Sequence, residues 1–210
     1  MPARLISIIG PPASGKTTLA ERLSDELPAE MIREDYAGNP FLARSYEGDP
    51  KARLPGQIYF LMSRVGQLHI ASAPPDGLQV SDYGFCQDRI YARQRLSSED
   101  YRLYDRLAGR LEGLVRRPDV LVRLDAPEEM LLERIARRGM GFERVMDAEF
   151  LKAMRQAYAQ AASEASCPVL CVDCGRFNLL LADVRQRLIE RLREFLSCVK
   201  EAQPCLVDFR

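Results

Sequence analysis

The sequence lacks features that membrane proteins and nucleic-acid-binding proteins usually have. No apolar run approaches the roughly 20 residues that a membrane-spanning helix needs. Thirty basic and thirty acidic residues cancel, so no overall charge favours a nucleic acid or a membrane surface. The N-terminal apolar run is too short for a signal peptide. We therefore expect a cytoplasmic protein with no nucleic-acid or membrane partner.

Histidine and cysteine are also sparse. His69 is the only histidine, and Cys171 and Cys174 form the only C-x-x-C pair among six cysteines. A zinc site usually needs a second pair of ligands, so we interpret the cysteines as reduced, mostly buried thiols. The length of 210 residues and a hydrophobic share of 47% predict one domain over residues 1–200. Residues 201–210 are expected to form a loosely held C-terminal tail.

Lysine occurs at four positions only, and one of them lies in a glycine-rich segment near the N-terminus. This segment reads GPPASGKT and fits the phosphate-binding pattern G-x-x-x-x-G-K-[ST] at every fixed position. An apolar strand precedes it and a helical leucine stripe follows it, which is the context that the motif requires. The segment predicts a site for ATP. The expected contacts are Gly10, Pro11, Ala13, Ser14, Gly15, Lys16, Thr17 and Thr18.

Five short apolar runs alternate with helical segments along the rest of the chain. This alternation predicts an α/β, three-layer P-loop kinase fold, with a five-stranded parallel sheet and helices on both faces. Ligands of such folds bind beyond the carboxyl ends of the strands. The five runs lie at residues 5–9, 31–33, 78–81, 120–124 and 169–172.

Charged residues that follow the strands are the candidates for phosphoryl-transfer chemistry. Glu34 follows the second strand and is the predicted general base, whereas Asp82 follows the third and is predicted to hold Mg²⁺ with the Thr17 hydroxyl. Arg134 and Arg138 share a helix face and predict an arginine-bearing lid over the triphosphate. The plainer alternatives are a solvated loop acid, a turn residue and a solvated basic face.

Several ordered motifs resemble those of the deoxynucleoside kinases, in particular the bacterial deoxyadenosine/deoxyguanosine kinase-like branch. The resemblance extends over residues 5–178 and implies a nucleoside site. By this resemblance, Tyr46 and Glu143 would hold the 3′-hydroxyl of the nucleoside. Gln57, Arg64 and Asp88 would read the nucleobase. The motifs are EDYAGNPFL at 34–42, YEGDPK at 46–51, Gln57-x6-Arg64, Asp82-x5-Asp88, LDAP at 124–127 and the lid segment at 132–139.

Two positions depart from the family pattern. Tyr83 stands where the family usually has an arginine that helps hold the base glutamate and the 5′-hydroxyl. Met140 stands where the lid usually carries a further arginine. Three other arginines are candidates for compensation: Arg89, Arg137 and Arg144.

The resemblance implies ATP-dependent transfer of the γ-phosphoryl group to the 5′-hydroxyl of a deoxyribonucleoside, with a purine deoxynucleoside or deoxycytidine preferred. A homodimer formed through the helices around residues 54–72 and 100–117 is a further expectation. One alternative is a thymidylate-type nucleoside monophosphate kinase, for which Arg44, Arg53 and Arg64 would have to bind the acceptor phosphate. The other is a degenerate kinase that serves as an ATP-binding regulatory module, an interpretation that Tyr83 and Met140 favour.

Overall fold

A six-stranded parallel sheet forms the centre of the molecule, in the strand order β2-β3-β1-β4-β5-β6. The structure is a computed structural model and describes residues 3–143, 145–198 and 204–209. The predicted parallel sheet is confirmed, but with one more strand than expected. The strands are β1 (Arg4–Ile9), β2 (Glu30–Ile32), β3 (Leu78–Ser81), β4 (Val120–Asp125), β5 (Val169–Asp173) and β6 (Leu206–Asp208).

The sixth strand comes from the segment that was expected to be a loose tail. The backbone N–H of Val169 donates to the carbonyl of Cys205 at 2.8 Å, and that of Phe209 donates to Cys171 at 2.8 Å. Phe209 is 5% exposed and its ring meets that of Phe177 with centroids 4.9 Å apart. The prediction of five strands is therefore wrong, because β6 has only three residues and is too short to give a recognisable strand pattern.

Eight α-helices are present in the described ranges, and side chains cap the first turns of several of them. Ser97 and Asp147 cap the helices that follow them, by accepting from the backbone N–H of Asp100 and Phe150. Within these ranges no helix is long and apolar enough to cross a membrane. The helices are α1 (Lys16–Glu26), α2 (Leu42–Tyr46), α3 (Pro50–Gln67), α4 (Gln87–Arg95), α5 (Ser98–Leu111), α6 (Glu128–Arg138), α7 (Ala148–Ser163) and α8 (Ala182–Cys198).

The sheet is covered on both faces, which explains why β1 is almost continuously apolar. Ile6 and Ile8 pack into the cluster that contains side chains of α1, α6 and α8. Leu5 points to the opposite face, into a cluster formed with α3 and α5. A strand that is buried on both faces has no position for a solvated side chain.

The order of the strands brings the ends of β1, β2 and β3 to one edge of the sheet. Because β3 lies between β1 and β2, Asp82 lies between the phosphate loop and Glu34. The backbone N–H of Asp82 donates to the carbonyl of Ile32 at 3.2 Å, which extends the pairing of β2 with β3 towards this edge. The fold thereby places three predicted site segments side by side.

Candidate active site

The phosphate loop joins β1 to α1 and has the backbone that its glycines permit. Gly10 has φ 152° and Gly15 has φ 99°, a region that L side chains rarely adopt. A Cβ at Gly10 would lie 2.4 Å from the carbonyl oxygen of Leu124. Lys16 Nζ donates to the carbonyls of Gly10 and Pro11, each at 2.9 Å. The lysine ammonium is therefore held against the loop backbone.

Burial has a marked effect on this lysine. It lowers the pKa of Lys16 from 10.5 to about 8, and the nearby Asp82 opposes that shift. A polyphosphate bound in the loop would bring further negative charge and raise the pKa again. An anion bound in the loop would therefore stabilise the charged form of Lys16.

Thr17 and Asp82 form a pair of oxygen ligands beside the loop. The Thr17 hydroxyl donates to Asp82 Oδ2 at 2.7 Å, and the other carboxylate oxygen accepts from the backbone N–H of Glu34 at 2.8 Å. Asp82 is 4% exposed, and burial raises the pKa of its carboxyl above the usual value. A hydroxyl and a carboxylate next to a phosphate loop are the ligands that Mg²⁺ takes in such sites, so the pair fits the ion.

The predicted lid arginines lie over the loop. Arg134 Nη1 donates to the carbonyl of Ala13 at 3.4 Å. Arg138 binds Glu143 with two nitrogen atoms, one of them Nε at 2.9 Å from Oε2. Glu143 is 5% exposed, so its charge is compensated mainly by this arginine. The structure thereby joins a residue predicted for phosphate to one predicted for the 3′-hydroxyl.

A cleft of about 660 Å³ lies between the loop, α6 and the segment after β5. The walls include Arg134, Arg137, Arg138 and Phe177. The cleft is open to the phosphate loop along one side, as a site for the donor nucleotide must be. Cys174, one of the two C-x-x-C cysteines, lies in its wall as a free thiol.

A second cavity, the acceptor cavity, lies on the other side of the lid. Most of the residues predicted to bind the acceptor line it. Asp88 is the exception, because it is buried behind Arg64 and does not line the cavity. Predicted residues in the lining are Ala13, Lys16, Thr17, Glu34, Tyr46, Gln57, Arg64, Asp82, Arg138 and Glu143. Polar residues in the lining to which the sequence assigned no role include Asn39, Ser45, Gln87 and Arg95.

Arg64 is the central charge of this cavity. Its guanidinium forms ion pairs with both Glu34 and Asp88, and its side chain is 4% exposed. The rings of Phe60 and Tyr83 lie 5.1 and 5.3 Å from the guanidinium carbon. Burial raises the pKa of Asp88 to about 6, although Arg64 opposes the shift. The three charged groups form one buried network.

Two further polar contacts were missed at the sequence level. Gln87 Nε2 donates to Glu34 Oε1 at 3.0 Å. Arg95 donates to the carbonyl of Ser45 at 2.8 Å, and its guanidinium carbon lies 3.3 Å from the centroid of the Tyr46 ring. Neither contact has a local sequence signal, because each joins residues about fifty positions apart.

The two residues that depart from the family pattern, Tyr83 and Met140, have different surroundings. Tyr83 is fully buried and its hydroxyl donates to Gln67 at 2.6 Å, whereas Met140 lines the acceptor cavity. Among the candidates for compensation, Arg89 is paired with Asp105 and Glu112. Arg137 lines the donor cleft, and Arg144 lies outside the described residues.

Four buried polar atoms around Arg64 have no hydrogen-bond partner among the described residues: Gln57 Oε1, Gln87 Oε1, Asp88 Oδ2 and Arg64 Nε. Such atoms are costly unless a ligand or water satisfies them. Gln57 and Arg64 line the cavity, so their two atoms mark where a polar ring would be recognised. One is an acceptor and the other a donor, which matches the mixed edge of a nucleobase.

Comparison with known proteins gives a consistent result. Deoxyadenosine kinase from Dictyostelium discoideum is 31% identical over 179 residues, which cover 82% of this chain and 73% of the relative. Deoxyguanosine kinase from Bacillus subtilis is 28% identical over 165 residues, or 77% of this chain and 80% of the relative. A structure of deoxyadenosine kinase from M. mycoides with bound dCTP shares the fold, with a TM-score of 0.76 at 21% identity. The two chains are covered to 90% and 99%.

The family model described as deoxynucleoside kinase matches residues 6–197. This range includes the phosphate loop, the lid and every predicted site residue, which confirms the resemblance inferred from the motifs. The chain therefore belongs to the deoxynucleoside kinase family and is a phosphotransferase that acts on nucleosides.

Proposed function

We propose that the protein transfers the γ-phosphoryl group of ATP to the 5′-hydroxyl of a purine deoxynucleoside or of deoxycytidine. The observation that carries this proposal is the position of Glu34. Its carboxylate lines the acceptor cavity, while its backbone N–H donates to Asp82, which is bonded to Thr17 of the phosphate loop. A base in this position can accept the proton of a 5′-hydroxyl that is held close to the phosphate loop, where it could attack the γ-phosphoryl group in line.

The remaining groups have roles that follow from their charge and position. Lys16 and the loop amides would bind the triphosphate, and Arg134 and Arg138 would compensate the charge of the transferring phosphoryl group. Thr17 and Asp82 would hold Mg²⁺, which neutralises charge on the phosphates when bound. Arg138 would have to loosen its pairing with Glu143, so lid closure and 3′-hydroxyl binding are linked.

The acceptor preference rests on the polar atoms at the nucleobase end. Gln57 has one donor and one acceptor group, which suits the amine and ring nitrogen of adenine or cytosine or the amide edge of guanine. Arg64 would read another part of the ring, Asp88 would act through Arg64, and Tyr46 and Glu143 would bind the 3′-hydroxyl. The names of the relatives include deoxyadenosine, deoxyguanosine and deoxyadenosine/deoxycytidine kinase, which supports this range of acceptors.

A monophosphate acceptor is less well supported. Of the three arginines considered for its phosphate, Arg44 is paired with Asp49 on the surface and Arg53 is exposed. Arg64 is neutralised by two carboxylates. None of the three offers an uncompensated charge inside the cavity, whereas a nucleoside brings no phosphate that needs one.

Assembly and location complete the proposal. We propose a homodimer in the cytoplasm, in which each subunit is a single kinase domain that includes β6. Exposed apolar side chains on and beside α3 and α5 supply the surface that a second copy would cover: Met62, Leu103, Leu107 and Leu114. The free thiols of the described cysteines fit a reducing compartment.

A panel of acceptors tests the proposal directly. ADP release is measured with ATP and Mg²⁺ against the four deoxynucleosides and their monophosphates. Turnover is expected with deoxyadenosine, deoxyguanosine or deoxycytidine, and Glu34→Gln should reduce kcat at least about a hundredfold with ATP affinity nearly unchanged. Turnover with monophosphates alone would favour the thymidylate-type alternative. ATP binding with no turnover for any acceptor would favour the regulatory module.

A further inference from the structure

One guanidinium touches both the proposed general base and the proposed nucleobase reader. The two terminal nitrogen atoms of Arg64 divide between Glu34 and Asp88, so no other group separates the two carboxylates. Gln87, the residue before Asp88, donates to the same oxygen of Glu34 that Arg64 contacts. The catalytic carboxylate is therefore oriented from the nucleobase side of the cavity.

The surroundings leave Arg64 little freedom to move. Its side chain and that of Asp88 are 4% and 1% exposed, and two aromatic rings lie against the guanidinium. Removing Arg64 would leave the carboxylates of Glu34 and Asp88 without their shared cation, and buried charge without a partner is poorly tolerated. A planar guanidinium can hold two carboxylates at fixed angles, which a lysine ammonium on a flexible stem cannot do equally well. Arg64 is therefore a rigid connection between the carboxylates of Glu34 and Asp88.

These contacts also show how the Glu34 carboxylate is held when position 83 is a tyrosine. Tyr83 stands where the family's arginine would hold the base glutamate, but its hydroxyl is bound to Gln67. Glu34 nevertheless has two strong donors, from α3 and from the start of α4. The side chains that donate to the Glu34 carboxylate therefore come from α3 and α4, which border the nucleobase pocket, and not from the end of β3.

We propose that Arg64 and Gln87 are positioning residues for the carboxylate of Glu34, so that nucleobase recognition and proton abstraction share one network. This inference rests on the proposed function, in which Glu34 accepts the proton of the 5′-hydroxyl. A nucleobase that fits Gln57 and Arg64, with Arg64 held by Asp88, keeps the carboxylate in its productive orientation. One that displaces Arg64 disturbs the base as well, and so lowers kcat in addition to raising KM.

Gln87→Met is the most informative variant, because it removes the hydrogen bond without changing charge and with little change in volume. We expect kcat to fall about tenfold and KM for the nucleoside to change less than about twofold. Gln57→Met is the matched control, since Gln57 lines the same cavity and makes no described contact with Glu34. It should raise KM and leave kcat nearly unchanged. Arg64→Lys should lower kcat and raise KM together.

A double-mutant cycle separates positioning from a merely structural role. In a Glu34→Asp background the shorter carboxylate still acts as a base, so turnover stays measurable, but it cannot reach Gln87 in the same way. Gln87→Met should then change kcat less than about twofold, whereas the effect of Gln57→Met on KM should be the same in both backgrounds. Circular dichroism and ATP affinity confirm that each variant is folded.

The outcomes distinguish the two proposals. An active wild-type enzyme in which Gln87→Met lowers kcat equally in both backgrounds, or changes KM alone, overturns the positioning role and leaves the proposed function intact. A wild-type enzyme without turnover for any nucleoside overturns both.

Discussion

The guanidinium carbon of Arg95 lies 3.3 Å from the centroid of the Tyr46 ring, and Arg95 Nη2 donates to the carbonyl of Ser45 at 2.8 Å. These contacts tie the short helix α2 to the end of α4. Burial raises the pKa of the Tyr46 hydroxyl above its usual value, so the phenol stays protonated over the range in which the enzyme would work. Tyr46 is therefore held as a hydrogen-bond donor facing the acceptor cavity.

Replacing this arginine should weaken acceptor binding selectively. Arg95→Met removes a stacking contact and a hydrogen bond, together worth about 1–2 kcal/mol, so KM for a deoxynucleoside should rise about five- to thirtyfold. The same variant should behave almost like the wild type with a 2′,3′-dideoxynucleoside, which has no 3′-hydroxyl for Tyr46. Arg93→Met is the control, because Arg93 stacks on Tyr101 instead. Equal losses with both substrates would contradict the assignment of Tyr46.

ATP affinity should depend on pH through Lys16. The pKa of Lys16 is lowered to about 8 without a ligand, and a bound triphosphate should raise it, so binding favours the protonated form. Below pH 8 the lysine already carries its proton and affinity should be nearly constant. Above pH 8 a proton must be taken up, and affinity should fall by up to about tenfold per pH unit. Calorimetry from pH 7 to 9, in buffers of different ionisation enthalpy, measures both the affinity and the proton uptake.

Lys16→Met supplies the control for this pH dependence. It should bind ATP more weakly at every pH and show no step near pH 8. A wild-type affinity that stays flat up to pH 9 would show that Lys16 keeps its proton by other means.

The two glycines of the phosphate loop should respond differently to substitution. Gly10→Ala places a Cβ against the Leu124 carbonyl at a φ of 152°, and should lower the free energy of unfolding by about 3 kcal/mol. Gly15→Ala has open space around its Cβ and only an unfavourable φ of 99°, so about 1 kcal/mol is expected. Urea denaturation of both variants gives the difference. Equal costs would mean that the loop moves away from Leu124 readily.

The sixth strand should contribute measurably to stability and to the donor site. Phe209 is 5% exposed and packs on Phe177, which lines the donor cleft. Phe209→Ala should cost about 3 kcal/mol of stability and weaken ATP binding severalfold. Leu206→Ala is the control from the same strand, because that side chain is 52% exposed and should matter little. Similar effects of the two substitutions would argue against the packing of this strand.

Local signals in the sequence predict the phosphate loop and most of the fold. The phosphate loop is a short contiguous motif between a buried strand and a helix, so pattern and structure coincide. Ser97 and Asp147 cap helices through backbone groups three residues away, which is also a local relationship. The short helix α2 has no such local signal, because its five residues are too few to show a helical repeat.

By itself the sequence determined the class of the protein: a phosphate loop, alternating strands and helices, and an ordered set of acidic residues after the strands with arginine and glutamine residues on the helices. The tertiary structure alone decided how these groups pair. Arg64 meets Glu34 across 30 residues, Arg95 meets Ser45 across 50, and the three-residue strand β6 joins the sheet although it is too short to be recognised. Such contacts depend on where helices cross and on which carboxylate compensates a buried charge, and neither is encoded in local spacing.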